Sequence, residues 1–231
     1  FVGWASDMHV VGSHAYVTAM TSLGGGQLIR QVLIINIADP AQPVLESTVR
    51  VEASPMCVSV AGNYAYTGGY VFRAGDLTAR ADIIDVTDPK RAILVGGFDM
   101  PEGGQVLAVA AQGSLLHLGY SRGQAAYEVY DLLDPLTPAL LARYELLPHE
   151  EPNLIRVVGN LVCLATSMGL RIMDLTVPSS PQLIGFLPLG GGALAGAGSA
   201  EGGLSERASG ALLGAGTAAV LGGALSIGGT V

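Results

Sequence analysis

Asp7, His9, Ser59 and Arg156 combine a carboxylate, an imidazole, a hydroxyl and a guanidinium, side-chain types found in hydrolase and lyase sites. They are far apart in the chain, but their positions are related. His9, Ser59, Ala110 and Arg156 each stand three residues before a Gly paired with a small polar residue or Asn: Gly12–Ser13, Gly62–Asn63, Gly113–Ser114 and Gly159–Asn160. Asp7, Cys57, Ala108 and Leu154 stand two residues earlier again, on the same face of an extended strand. The four polar residues are therefore candidates for one shared site.

Other chemistry-bearing residues form no recognisable set. His9, His14, His117 and His149 show no HExxH or other ligand spacing, and Cys57 and Cys163 form no CxxC pair, so no metal and no cofactor is expected. The cysteines read as small apolar residues. His14 and His117 fall at strand positions, on expected blade surfaces. His149, Glu150 and Glu151 fall in a loop before a strand and are candidates for a binding rim. No GxSxG elbow is present. "GGGQL" and "PEGGQV" lack the Lys and helix of a phosphate loop.

What positions these residues is a repeat. "IINIADP" (34–40), "IIDVTDP" (83–89), "VYDLLDP" (129–135) and "IMDLTVP" (172–178) recur, and neighbouring anchors lie 43 to 51 residues apart. That spacing suits propeller blades. Within a unit the apolar period is two: "MCVSVAG" and "YAYTGGY" flank a Gly-Asn turn, and "RADIIDV" and "AILVGGF" flank an Asp-Pro turn. Four strands per unit and four units predict an all-β propeller, where a sixteen-stranded sandwich needs no such repeat. The expected blades are 1–50, 51–99, 100–147 and 148–188. First strands line a propeller's channel, which is where Asp7, His9, Ser59 and Arg156 would meet. Pro cannot donate to a strand ladder, and Asp or Asn can hold the N–H two residues on. Asn36, Asp39, Asp85, Asp88, Asp131, Asp134 and Asp174 are therefore read as turn-fixing residues rather than catalytic ones. No strand exchange within 1–188 latches the ring, so an open or incomplete ring is expected.

The hairpin "VAGNYAYTGGY" with the strand "ADIIDVTDP", and their counterparts "VVGSHAYVTAM" and "LIINIADPAQP", resemble the LVIVD-repeat family. The resemblance spans about residues 1–188. It is clearer in units one and two than in three and four, where "QGSLLHLGY" departs and Val177 replaces Asp. It implies a surface-exposed or secreted propeller, extracellular, at the cell surface or periplasmic, and it supplies no catalytic residues.

The net charge is −8, with Lys and Arg scattered, which argues against nucleic acid as a partner. Residues 189–231 are rich in Gly and Ala, with Glu201, Glu206 and Arg207 their sole charges. They read as a low-complexity tail, linker or anchor remnant, with membrane anchoring the less favoured reading. The sequence opens on Phe1, as in a processed, trimmed or fragmentary chain. The expected function is a non-catalytic binding scaffold whose rim holds a protein or glycan. The alternative is a hydrolase or lyase at the channel.

Overall fold

The computed structural model describes residues 2–100, 104–121 and 124–189. Of the expected tail, 189–231, all but Leu189 lies outside the described residues. The described chain forms four antiparallel sheets of four strands, each an unbroken meander. Blade 1 contains β1 (Val2–Val11), β2 (His14–Gly24), β3 (Gln27–Asn36) and β4 (Val44–Arg50). Blade 2 contains β5 (Ser54–Ala61), β6 (Tyr64–Arg73), β7 (Asp76–Asp85) and β8 (Ile93–Asp99). Blade 3 contains β9 (Gln105–Gln112), β10 (Leu115–Ser121), β11 (Ala126–Asp131) and β12 (Ala139–Glu145). Blade 4 contains β13 (Pro152–Val158), β14 (Leu161–Thr166), β15 (Gly169–Asp174) and β16 (Gln182–Pro188). One 3-10 turn, Pro89–Arg91, is the sole helical element among the described residues. The fold is a propeller-like array of four blades.

The repeated sequence signals act locally. Gly12, Gly62, Gly113 and Gly159 all take a φ near +60°, the left-handed region that favours glycine, and so reverse each first hairpin. At the third reversal, Asn36, Asp85, Asp131 and Asp174 accept the N–H two residues on, at 2.8–2.9 Å. Asp39, Asp88 and Asp134 do the same at 3.0–3.1 Å. Val177 has no side-chain oxygen, and its turn is closed by Ser180 N–H donating to its carbonyl at 2.9 Å.

Burial happens between blades. Tyr16, Val32 and Ile34 of blade 1 pack with Val58, Val60 and Ile84 of blade 2. Tyr66, Ala81 and Ile83 pack with Val106, Leu116 and Leu118 of blade 3. Tyr127 and Val129 pack with Ile155, Leu164 and Met173 of blade 4. In blades 2 and 3 the alternation of the strands thus serves two cores, one on each face of the blade. First strands pack in series, β1 on β5, β5 on β9 and β9 on β13. No comparable packing joins β13 to β1 among the described residues.

Candidate functional site

The inner strands frame a cavity of about 370 Å³ that is lined by Asp7, His9, Ser59 and Arg156 together with Ala110 and Gln112. The four residues related by position in the repeat are therefore brought to one place. A bulge repeated in every first strand aims them there: the register slips between Ala5 and Asp7, between Pro55 and Cys57, between Val106 and Ala108, and between Pro152 and Leu154. Such a bulge adds twist and turns the following side chains toward the next blade. In blade 1, Thr18 Oγ1 secures it, accepting from the Asp7 N–H at 3.0 Å and donating to the Asp7 carbonyl at 3.1 Å.

Two of the four residues fasten blades. Asp7 Oδ2 accepts the Val58 N–H at 3.0 Å, and Ser59 Oγ accepts the Ala111 N–H at 2.9 Å, so each ties one inner strand to the next. Arg156 is exposed, and its Nη1 donates to the Ile155 carbonyl at 3.0 Å. His9 is half-buried. Burial lowers its pKa, the Arg156 guanidinium lowers it further, and Asp7 opposes both. At neutral pH the cavity therefore presents a neutral imidazole and a guanidinium, an arrangement able to accept and donate hydrogen bonds to a polar ligand.

The rim residues part company. His149 and Glu151 are exposed, and His149 holds a φ of +65°. Glu150, expected to face a ligand, is instead fully buried. Its two carboxylate oxygens receive Arg171 Nε at 2.8 Å and Nη2 at 2.7 Å, the Thr166 hydroxyl at 2.6 Å and the Leu147 N–H at 3.1 Å. Burial would raise the Glu150 carboxyl, but these donors hold it below the usual range. It clamps the linker between blades 3 and 4. His117, expected on a blade surface, is also buried, with its Nδ1 2.8 Å from the Tyr127 hydroxyl. His117 lies on a strand between two blades and so has no solvent-facing side. His14 pairs with Glu46 at 3.0 Å on the outer part of blade 1.

A charged network on blade 2 has no counterpart among the sequence candidates. Arg80 Nε meets Asp82 Oδ1 at 2.7 Å, its Nη1 meets Asp99 at 2.9 Å, and its Nη2 meets Glu52 at 3.2 Å. Arg73 reaches Asp99 and Glu52 from the adjoining hairpin. Asp82 Oδ2 also accepts the Glu52 and Ala53 N–H groups at 3.0 and 2.8 Å. The signal was present in "RADIIDV", where Arg80 and Asp82 flank Ala81 ahead of the buried Ile83 and Ile84. Among the described residues, no group of three or more His, Cys, Asp or Glu is placed to hold a metal ion. No helix there is long and apolar enough to cross a membrane.

Residues 54–100 and 153–187 match the family model of the LVIVD repeat. These are blades 2 and 4, so two of the four blades are LVIVD repeats. The match does not extend to blade 1, where the sequence motifs also appeared clear. No curated protein matches the chain. Among solved structures, the chain is similar to a putative 6-phosphogluconolactonase from Bacteroides uniformis ATCC 8492, with a TM-score of 0.62 and 12% identity, covering 79% of this chain and 56% of that one. It is also similar to a functionally unknown protein from Desulfotomaculum acetoxidans DSM 771, with a TM-score of 0.60 and 13% identity, covering 80% and 56%. The chain thus spans little more than half the length of these structures, and at such identities the likeness concerns the fold alone.

Proposed function

We propose that the protein is a non-catalytic binding propeller, displayed outside the cytoplasm, that offers one rim to a protein or glycan partner. The observation that carries this reading is the uneven length of the rim hairpins. Strands β2, β3, β6 and β7 have 10 or 11 residues, against 6 in β14 and β15. The extra length ends in exposed Leu23, Leu28 and Phe72, with Tyr70 edge-on to Phe72 at 5.8 Å and Arg73 alongside. Aromatic and Arg side chains beside a satisfied polar network are the composition of a recognition surface rather than of a core. Polar groups at the cavity, by contrast, are partly committed to blade fastening. The test is binding of the wild type and Phe72→Ser to a glycan array and a panel of extracellular proteins. Loss of a wild-type interaction in Phe72→Ser supports the rim, and an interaction that survives it does not.

One observation favours a second reading, an enzyme at the channel: Asp7, His9, Ser59 and Arg156 do line one cavity. A hydrolase or lyase activity abolished by both His9→Ala and Arg156→Ala would replace the scaffold reading.

A further inference from the structure

The repeat allows each position to be compared across blades. Met8, Val58, Val109 and Ile155 are equivalent, each four residues before the hairpin Gly and facing the preceding blade. Val58, Val109 and Ile155 are 3%, 5% and 0% exposed, whereas Met8 is 64% exposed. On the opposite face, Cys57 and Ala108 are 4% and 3% exposed, while their equivalent Leu154 is 44% exposed. Val10 on blade 1, and Val158, Leu170, Ile184 and Leu187 on blade 4, extend the two exposed patches. Each end of the array therefore carries the kind of surface that every internal junction buries. Contiguous apolar faces of this sort mark interaction sites in soluble proteins.

The internal junctions show what covers such faces: the trailing face of one blade takes the leading face of the next. The leading face on blade 1 and the trailing face on blade 4 are the two halves of one such junction. We propose that they dock on each other in a second copy of this chain, blade 4 of each copy on blade 1 of the other. A pair related by a twofold axis closes both open ends at once. A docked pair gives eight blades, within the propeller range. At the internal junction, Ser59 contacts Ala111. Their equivalents at the new junction are Arg156 of one copy and Val10 of the other.

Light scattering on the full chain at tens of micromolar is expected to give twice the 23.5 kDa of one copy. Met8→Glu and Leu154→Glu, both exposed in the single copy, are each expected to give the single mass with unchanged circular dichroism. In a Cys163→Ser background, Val10→Cys and Arg156→Cys chains are expected to form a disulfide when mixed and not when oxidised separately. A single mass for the wild type overturns the proposal. So does a double mass that survives both Glu variants, or a disulfide formed equally in the separate samples.

Discussion

His117 should make this propeller acid-sensitive between about pH 6.5 and 4. It sits on β10, on the face that meets blade 4, with its ring stacked parallel to Tyr127 at 6.0 Å between centroids. Burial keeps the Tyr127 phenol protonated, its hydroxyl lies 2.8 Å from His117 Nδ1, and His117 Nε2 has no partner. A second proton on the ring would add an uncompensated charge to the interior and leave an Nε2–H without an acceptor. Burial accordingly lowers the His117 pKa from 6.5 to about 4. The sign follows from linkage: the unfolded chain takes up the proton first as pH falls, so stability present above pH 6.5 is lost on the way down. At ~1.4 kcal/mol per pH unit, the loss is about 2 kcal/mol at pH 5 and about 3 kcal/mol at pH 4. Urea unfolding of the wild type and His117→Gln at pH 7, 5 and 4 isolates this share, because carboxylates titrating in the same window are common to both. The wild type should lose about 3 kcal/mol more than the variant between pH 7 and 4. Parallel losses in the two proteins would refute the reasoning.

Three further outcomes are expected. Glu150→Gln leaves the Arg171 guanidinium buried without its counter-ion and should cost about 3–5 kcal/mol in urea unfolding, the range for breaking one side of a buried pair. Gly68→Ala places a Cβ 2.3 Å from Val106 Cγ1 and 2.7 Å from Cys57 Sγ at the junction of blades 2 and 3, and should lower stability by about 1–3 kcal/mol. Burial, with a smaller push from Asp7, raises the Cys57 thiol far above its ordinary range, so Cys57 should resist alkylation at pH 8 in the native chain while half-exposed Cys163 reacts, as intact-mass spectrometry would show.

The fold was legible because its signals are local and repeated. A Gly at positive φ and an Asx turn are written in one or two residues, and each occurs in every blade. The cavity was legible for the same reason, since equal distances from the hairpin Gly place Asp7, His9, Ser59 and Arg156 on equivalent inner strands. What they do there was not legible, because Asp7 and Ser59 bond to backbone of the next blade, some 50 residues away. Nor were the bulges: Ser6, Met56, Leu107 and Asn153 share no side-chain type, and the extra residue is a property of strand pairing. Burial of Glu150 was hidden because its partner, Arg171, lies 21 residues downstream on a strand of the following blade.

Three of the buried charges, Asp82, Glu128 and Arg171, share one structural position. Counting three residues back from Asn36, Asp85, Asp131 and Asp174 gives Leu33, Asp82, Glu128 and Arg171. In blade 2 the carboxylate of Asp82 holds the incoming linker by its backbone N–H groups. In blade 4 the sign is reversed, with the guanidinium of Arg171 on the strand and the carboxylate of Glu150 on the linker. In blade 3, Glu128 receives the hydroxyls of Tyr120 and Tyr130 at 3.1 and 2.6 Å, with Arg143 at 3.4 Å. Blades 2 and 4 thus hold their linkers with opposite signs, so a linker carrying Glu150 would set a carboxylate against Asp82, whereas Glu128 is held by side chains of its own blade. Blades 2 and 4, built on one pattern, are thereby made non-interchangeable at their linkers.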